Sequence, residues 1–190
     1  VFSLQYEGKD ANGNSQFLKH DGTLTTAPTI GTDYWYVGNA QPKILAGWSN
    51  TFKYKNFDLN IFLRGVFGNK IFDATRADLF YVGAAAINNI SSGAANDKIT
   101  DSKNSSYSTR FIESGNYIRF DNATLAYTFK LKGDYVHSVR VYSSVNNLFV
   151  ITKYKGIDPE INQGGAAPGV DYNNFFPKTR TVLFGVNVLF

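Results

Sequence analysis

The chain has 190 residues, a formal net charge of +4, no Cys and no Met, with 16% aromatic and only 18% charged residues. Without cysteine there is no disulfide framework, thiolate metal site or cysteine nucleophile. The charge excess is too small and too scattered for a nucleic-acid binder, and 43% hydrophobic residues is far from a disordered composition. No run of about 18 apolar residues occurs, so no transmembrane helix is expected. The chain opens Val1-Phe2-Ser3 with no basic end and short apolar core of a signal peptide. The expectation is a processed chain or a piece of a longer polypeptide.

In chain order, residues 1–6 read as the end of a strand and 7–41 as a long link. Within that link, Asp10-Ala11-Asn12-Gly13-Asn14 has the look of a calcium loop. An EF-hand, however, needs Gly at its sixth position and a bidentate Glu at its twelfth. Here those positions hold Ser15 and Asp21, so a polar surface turn is expected. From 43 to 54 the chain alternates with period two. Ile44, Ala46, Trp48, Asn50, Phe52 and Tyr54 fall on one parity; Lys43, Leu45, Gly47, Ser49, Thr51 and Lys53 fall on the other. Lys55-Asn56 is a tight turn in which Asn supplies tolerance of positive φ. After it, Phe57, Leu59, Ile61 and Leu63 alternate with Asp58, Asn60, Phe62 and Arg64, which makes a long hairpin. In the next long link, residues 73–81 predict a short helix.

A third strand is predicted over 117–129, with Ala123, Leu125, Tyr127 and Phe129 opposed to Asn122, Thr124, Ala126 and Thr128. A basic turn over 130–137 leads to a fourth, where Val139, Val141 and Val145 alternate with Arg140, Tyr142, Ser144 and Asn146. After a third long link, the fifth sets Val182, Phe184, Val186, Val188 and Phe190 against Thr181, Leu183, Gly185, Asn187 and Leu189. Short and long links thus alternate strictly. In an up-and-down sheet this puts short turns at one edge and long loops at the other, the layout of an outer-membrane β-barrel with long extracellular loops.

A soluble sandwich also alternates, but three features favour the membrane. The strands are long enough to cross a bilayer at a tilt. Tyr54, Phe57, Tyr127, Phe129 and Phe190 cluster near strand ends like an interfacial girdle, and the apolar parities carry almost no charge. Register follows from cost. Arg64 lies roughly 16 Å up the wall at about 3.3 Å per residue and a tilt near 45°. Facing lipid there would cost up to about 2–4 kcal/mol. Leu59, Ile61 and Leu63 should therefore face out and Arg64 in. The expected lumen wall is Asn60, Arg64, Asn122, Thr124, Tyr142, Ser144 and Asn146, serving to solvate the interior or to line a substrate path.

Several stretches resemble the C-terminal end of SusC/RagA-like TonB-dependent transporters of the Bacteroidota outer membrane. They are G-N-A-Q-P-K at 38–43, F-K-Y-K-N-F-D-L at 52–59, G-N-Y-I-R at 115–119, N-N-L-F-V-I-T-K-Y-K-G-I-D-P-E at 146–160, and F-P-K-T-R at 176–180 running on to Phe190. The likeness is firm over 38–190 and looser before. The family forms a 22-stranded barrel filled by an N-terminal plug, whereas an eight-stranded barrel is the usual bacterial minimum. The resemblance therefore implies that residues 1–190 are the C-terminal part of the barrel: all-β, five or six antiparallel strands, with the plug and earlier strands elsewhere. It implies TonB-dependent import of glycans or peptides across the outer membrane. The implied partners are a SusD-like surface lipoprotein, TonB acting through the missing N-terminal part, the lipid bilayer and the barrel-assembly machinery. The last of these would read Phe190, Val188, Val186, Phe184 and Val182.

Neither an enzyme nor a cofactor is expected. No G-x-S-x-G, P-loop or G-x-G-x-x-G occurs, and His20 and His137 lack the neighbours of a triad. Asp158, Glu160 and Asp171 follow no metal-binding spacing, so no metal is expected either. The loop aromatics Phe80, Tyr81, Tyr107, Phe111, Tyr172, Phe175 and Phe176 should mainly pack the long loops into small cores of their own; stacking on sugar rings or lining a peptide site is the other reading. Two rivals stand beside the importer: a soluble all-β carbohydrate-binding or adhesion module, and a passive porin wall.

Overall fold

A computed structural model of the chain describes residues 1–85, 89–98, 100, 107–161, 168–172 and 176–190. It contains two compact units. One joins Lys43–Phe67, Asn116–Lys153 and Pro177–Phe190; the other joins Val1–Pro42, Gly68–Gly115 and Tyr154–Phe176.

The first unit is a five-stranded antiparallel sheet. Its strands are β5 (Ile44–Tyr54), β6 (Phe57–Phe67), β9 (Tyr117–Lys130), β10 (Ser138–Thr152) and β12 (Thr181–Leu189), in the order β12-β10-β9-β6-β5. All five period-two segments are therefore strands of one sheet, each paired with its neighbour in sequence. β5 and β6 meet in a two-residue turn where Lys55, not Asn56, takes the positive φ of 53°. β10 runs six residues past Asn146, farther than alternation indicated, because it continues through an irregularity between Asn146 and Phe149. A second irregularity, between Phe62 and Leu63 of β6, places an extra residue of β9 at Asp121. Such a β-bulge puts two residues of one strand opposite one of the other. It resets the parity of β9: Asn122 and Thr124 share a face with Arg119 and Tyr117, while Ile118 and Phe120 join the face of Ala123 and Leu125.

The second unit is built from short strands and helices. β1 (Phe2–Lys9), β2 (Ser15–Leu18), β3 (Leu24–Thr25) and β4 (Tyr34–Tyr36) form a sheet in the order β3-β2-β1-β4. Residues 1–6 are thus a strand of this separate sheet rather than a sixth of the long one, so the long sheet has five strands. β7 (Lys70–Asp73), β8 (Ile112–Ser114) and β11 (Val170–Asp171) form a third sheet, in which β11 runs parallel to β7. The helix predicted over 73–81 is α1 (Ala74–Leu79), with Asp73 as its N-cap accepting from the Arg76 backbone N–H at 2.8 Å. A second helix, α2 (Ser92–Asp97), is capped by Ser91. A water-type core closes this unit: Leu4, Phe17, Ile71, Ala77, Ala94 and Phe111 are all buried.

Asp10 makes the expected polar turn between β1 and β2. Its carboxylate accepts from the backbone N–H of Asn12 and Asn14 and from the Asn14 amide. The Asn14 side chain, foremost, holds the carboxyl below the usual range. His20 lies against the Trp35 ring with centroids 4.5 Å apart, and His137 closes the turn into β10 through its backbone.

Candidate functional site

The two faces of the five-stranded sheet differ in chemistry. On one, Val182, Phe184, Val186 and Val188 of β12 lie beside Val139, Val141, Ser143 and Val145 of β10. Next come Ala123, Leu125, Tyr127 and Phe129 of β9, then Phe57, Leu59 and Ile61 of β6, and finally Asn50, Phe52 and Tyr54 of β5. No Asp, Glu, Lys or Arg of the five strands stands on this face, yet it is not covered. Phe184 is 77% exposed, Val186 62% and Leu125 51%. Monomeric soluble proteins rarely expose so large and continuous an apolar surface, and such a patch marks contact with a membrane or with further protein. The aromatic cluster near the short turns is real: the Phe57 and Tyr127 rings, and the Tyr127 and Phe129 rings, lie 4.6 Å apart.

The opposite face carries every charge of the five strands. All seven residues expected on the polar wall share it. Asn60 stands opposite Thr124, which stands opposite Ser144; Phe62 is followed in the same way by Asn122 and Asn146; Asp58 is followed by Ala126 and Tyr142. Asn122, Thr124, Ser144 and Asn146 form a connected ladder. The Asn122 amide donates to Ser144 at 3.1 Å and to Asn146 at 2.7 Å, Thr124 and Ser144 hydroxyls lie 2.8 Å apart, and the Asn60 amide donates to the Thr51 hydroxyl at 2.9 Å. Arg64 makes a forked pair with the bulge residue Asp121, Nε to Oδ2 at 2.8 Å and Nη2 to Oδ1 at 3.3 Å. A two-point guanidinium–carboxylate pair fixes orientation as well as charge. Asp121 carried no signal in the alternation, since only the bulge turns it to this face.

Nearer the short turns, Asp58 lies 4.0 Å from both Lys53 and Arg140. With Thr51, Asn60 and Thr124 these line a shallow cavity of about 230 Å³. Tyr142 does more than solvate: its ring covers Gly185 on the neighbouring strand, so closely that any Cβ there would fall within 2.5 Å of ring atoms. Apolar Phe62 and Leu183 also stand on this face. It is thus a mixed surface able to hydrogen-bond and to pack.

In the second unit the aromatics mostly pack. Phe111 is buried and lies 5.6 Å from Phe80. Tyr107 sits edge-on to Phe72 at 4.8 Å and to Tyr34 at 5.9 Å, and burial, with the Tyr34 neighbour, raises its hydroxyl pKa. Arg110 stacks over Phe80 at 4.2 Å and Tyr6 at 4.9 Å. Tyr81 is half-buried, whereas Tyr172 and Phe176 are exposed. Phe175 lies outside the described residues.

Sequence reading missed a buried polar knot in this unit. Asp73 and Asp171 are neighbours in the β7–β11 pairing and both are buried. The Tyr154 hydroxyl donates to Asp171 Oδ2 at 2.5 Å. Glu113 takes the Arg76 guanidinium on one oxygen and the Lys155 backbone N–H, at 2.8 Å, on the other. Burial, then the Asp171 and Glu113 charges, raises the Asp73 carboxyl, while the Arg76 N–H and guanidinium oppose the shift. Burial foremost, then the bond to Asp171, lifts the Tyr154 hydroxyl far above its ordinary value, so it stays a donor. Asp73 and Asp171, with Leu79, Ile157 and neighbours, line a cavity of about 370 Å³. Asp158 accepts from the Glu160 backbone N–H. Among the described residues no group of three or more acidic or histidine side chains is placed to hold a metal ion.

No family model matches the sequence. The chain is 30% identical over 201 residues to TonB-dependent receptor SusC of Bacteroides thetaiotaomicron, an alignment that takes in 100% of this chain and 19% of that protein. It is 28% identical over 192 residues to TonB-dependent receptor P3 of Formosa agariphila, with 91% of this chain and 18% of the relative covered. Among solved structures, that of the RagAB peptide transporter matches with a TM-score of 0.85 and 20% identity, over 99% of this chain and 22% of that one. The RagAB peptide importer in its open-open state matches with a TM-score of 0.78 and 21% identity, over 100% of this chain and 22% of that one. The chain thus spans about a fifth of the length of these relatives, which by name are receptors and transporters and not enzymes. In sequence the chain is similar along its whole length to the TonB-dependent receptor SusC, and its all-β fold matches part of the RagAB transporter.

Proposed function

We propose that residues 1–190 are the C-terminal barrel section of an outer-membrane importer that takes up glycans or peptides by a TonB-dependent route. The observation that carries this reading is the division of one sheet into an open, charge-free apolar face and a face holding every charge of its strands. Acyl chains suit the first and a water-filled interior the second. Asn60, Arg64, Asn122, Thr124, Tyr142, Ser144 and Asn146 then belong to the lumen wall. Phe190, Val188, Val186, Phe184 and Val182 form the lipid-facing end that the barrel-assembly machinery would engage. The long links would contribute to the outer vestibule, where a SusD-like lipoprotein would sit, and TonB would act from the periplasm. The names of the relatives support the class: SusC among the TonB-dependent receptors, and RagAB among the peptide importers.

The test is uptake by the full-length protein in its own outer membrane. Cells should accumulate labelled oligosaccharide or peptide, lose that ability when the gene is deleted, and lose it again when the inner-membrane proton gradient is collapsed. Uptake indifferent to the gradient would indicate a passive pore. A native protein that stays monomeric in buffer without detergent or lipid would favour the soluble binding module instead.

A further inference from the structure

Three of the resembling stretches, far apart in sequence, meet at one residue. Asn147 sits in the irregularity of β10 with φ 52°, a left-handed conformation that Asn tolerates better than other residues with a Cβ. Its side-chain oxygen accepts from Nη1 of Arg119, in G-N-Y-I-R, and its amide donates to the Lys178 carbonyl, in F-P-K-T-R, at 2.7 Å. Arg119 is 1% exposed and lies over the Tyr117 ring at 5.5 Å. Two residues beyond the bulge the β10–β9 ladder resumes at Phe149↔Phe120. One residue before it, Asn146 begins the β10–β12 ladder opposite Thr181.

That ladder needs a register device. Strand register is set by a tight turn or by the hydrophobic pattern. The link between β10 and β12 spans 153–180, so no tight turn sets it. The pattern is also weak, because Val182, Phe184, Val186 and Val188 repeat every second residue, and a two-residue slip leaves the apolar face almost unchanged. A one-residue slip would turn the whole of β12 over.

We propose that Asn147, held between Arg119 and the Lys178 carbonyl, is a register clamp that sets β12 against β10, and through β10 against β9. Its left-handed backbone turns the amide out of the ladder, and the two ends of that amide then reach β9 on one side and the segment leading into β12 on the other. Asn147 acts as a positioning residue for the wall and need touch no substrate.

The chain has no cysteine, so engineered pairs within it report register directly. In the full-length protein assembled in the membrane, Val145→Cys with Val182→Cys reads the native register, in which these residues are paired. Val145→Cys with Thr181→Cys or with Leu183→Cys reads one-residue slips, and Val145→Cys with Phe184→Cys reads a two-residue slip. Asn147→Gly keeps the backbone conformation but deletes both side-chain bonds. It should lower the native-to-slipped cross-link ratio about tenfold or more, as expected for losing two hydrogen bonds, one of them charge-assisted. Asn147→Asp keeps the acceptor for Arg119 and loses the donor to Lys178, and should give an intermediate ratio. A wild-type ratio in Asn147→Gly overturns the proposal. If Asn147→Gly fails to assemble, a wild-type ratio in Asn147→Asp overturns it and a lowered ratio supports it.

Discussion

The two units of this chain handle apolar side chains in opposite ways. In the unit of short strands, Leu4, Phe17, Ile71 and Phe111 lie at 3% exposure or less. In the long sheet, Phe184, Val186, Phe52 and Leu125 lie at 50% or more. Both units contain many apolar side chains; what differs is where they are placed. The first hides its apolar groups from water, as most soluble domains do. The second leaves them uncovered on one face and gathers its charges on the other. Polar groups follow the same division. The long sheet keeps its acids on an open, wettable face, whereas the short-strand unit buries Asp73 and Asp171 and must satisfy them locally.

The most direct way to break this comparison is to put a charge on each face of the sheet. Val186→Lys, on the uncovered apolar face, should cost up to about 2–4 kcal/mol of stability in lipid. Asn60→Lys, on the polar face beside Thr51 and Thr124, should cost little. Urea titration of the protein folded in vesicles reads both. Equal costs would mean that the two faces see the same solvent.

In the other unit, Tyr154→Phe removes the hydroxyl that donates to buried Asp171. Leaving that oxygen without its donor should cost about 1–3 kcal/mol. Faster amide exchange should be confined to 68–115 and 154–176, with the long sheet unchanged. Exchange that rose equally in β10 and β12 would show that the two units unfold as one. Gly185→Val sharpens the picture of the sheet. Val is the better strand former, yet its side chain would enter the Tyr142 ring, so overpacking of about 1–3 kcal/mol should outweigh propensity. A stabilised Gly185→Val would mean that the ring is free to move aside.

What was legible in the sequence follows the same division. Long strands with two chemically different faces must alternate over many residues, and so β5, β6, β9, β10 and β12 could all be read from parity. The polar set from Asn60 to Asn146 came with them, because one known face fixes every second residue. Parity fails at a bulge. It gave no hint that Asp121 turns to the polar face beside Arg64, that Ile118 and Phe120 belong to the apolar face, or that β10 continues past Asn147. In the other unit the sequence showed α1, a strand over 1–6, the Asp10 turn and the packing of Phe80, Tyr107 and Phe111, but little of the sheets that join them. Strands of two to four residues such as β3, β7 and β11 are too short to show a period. The Asp73–Asp171 neighbourhood arises from a parallel pairing between segments almost a hundred residues apart, which no local pattern encodes.

The smallest expected effect is a pH dependence confined to the short-strand unit, and its sign is the informative part. Asp73 is 1% exposed with Asp171 and Glu113 as charged neighbours, and its carboxyl is raised above the ordinary value, burial being the largest cause. A raised folded-state value means that the folded chain holds a proton at pH values where the unfolded chain has released it. Protonation of Asp73 therefore adds stability as pH falls through its folded value, levelling off below the unfolded value of about 3.9. This is opposite to the ordinary salt-bridged carboxylate, which loses stability on acidification. Amide exchange in α1 and β7 should slow as the pH is lowered from neutral toward the ordinary carboxylate range, after correction for the intrinsic exchange rate. In Asp73→Asn that slowing should vanish while the helix cap survives, because Asn caps about as well as Asp and cannot titrate. If the slowing persists in Asp73→Asn, Asp73 is not the group whose protonation steadies this unit.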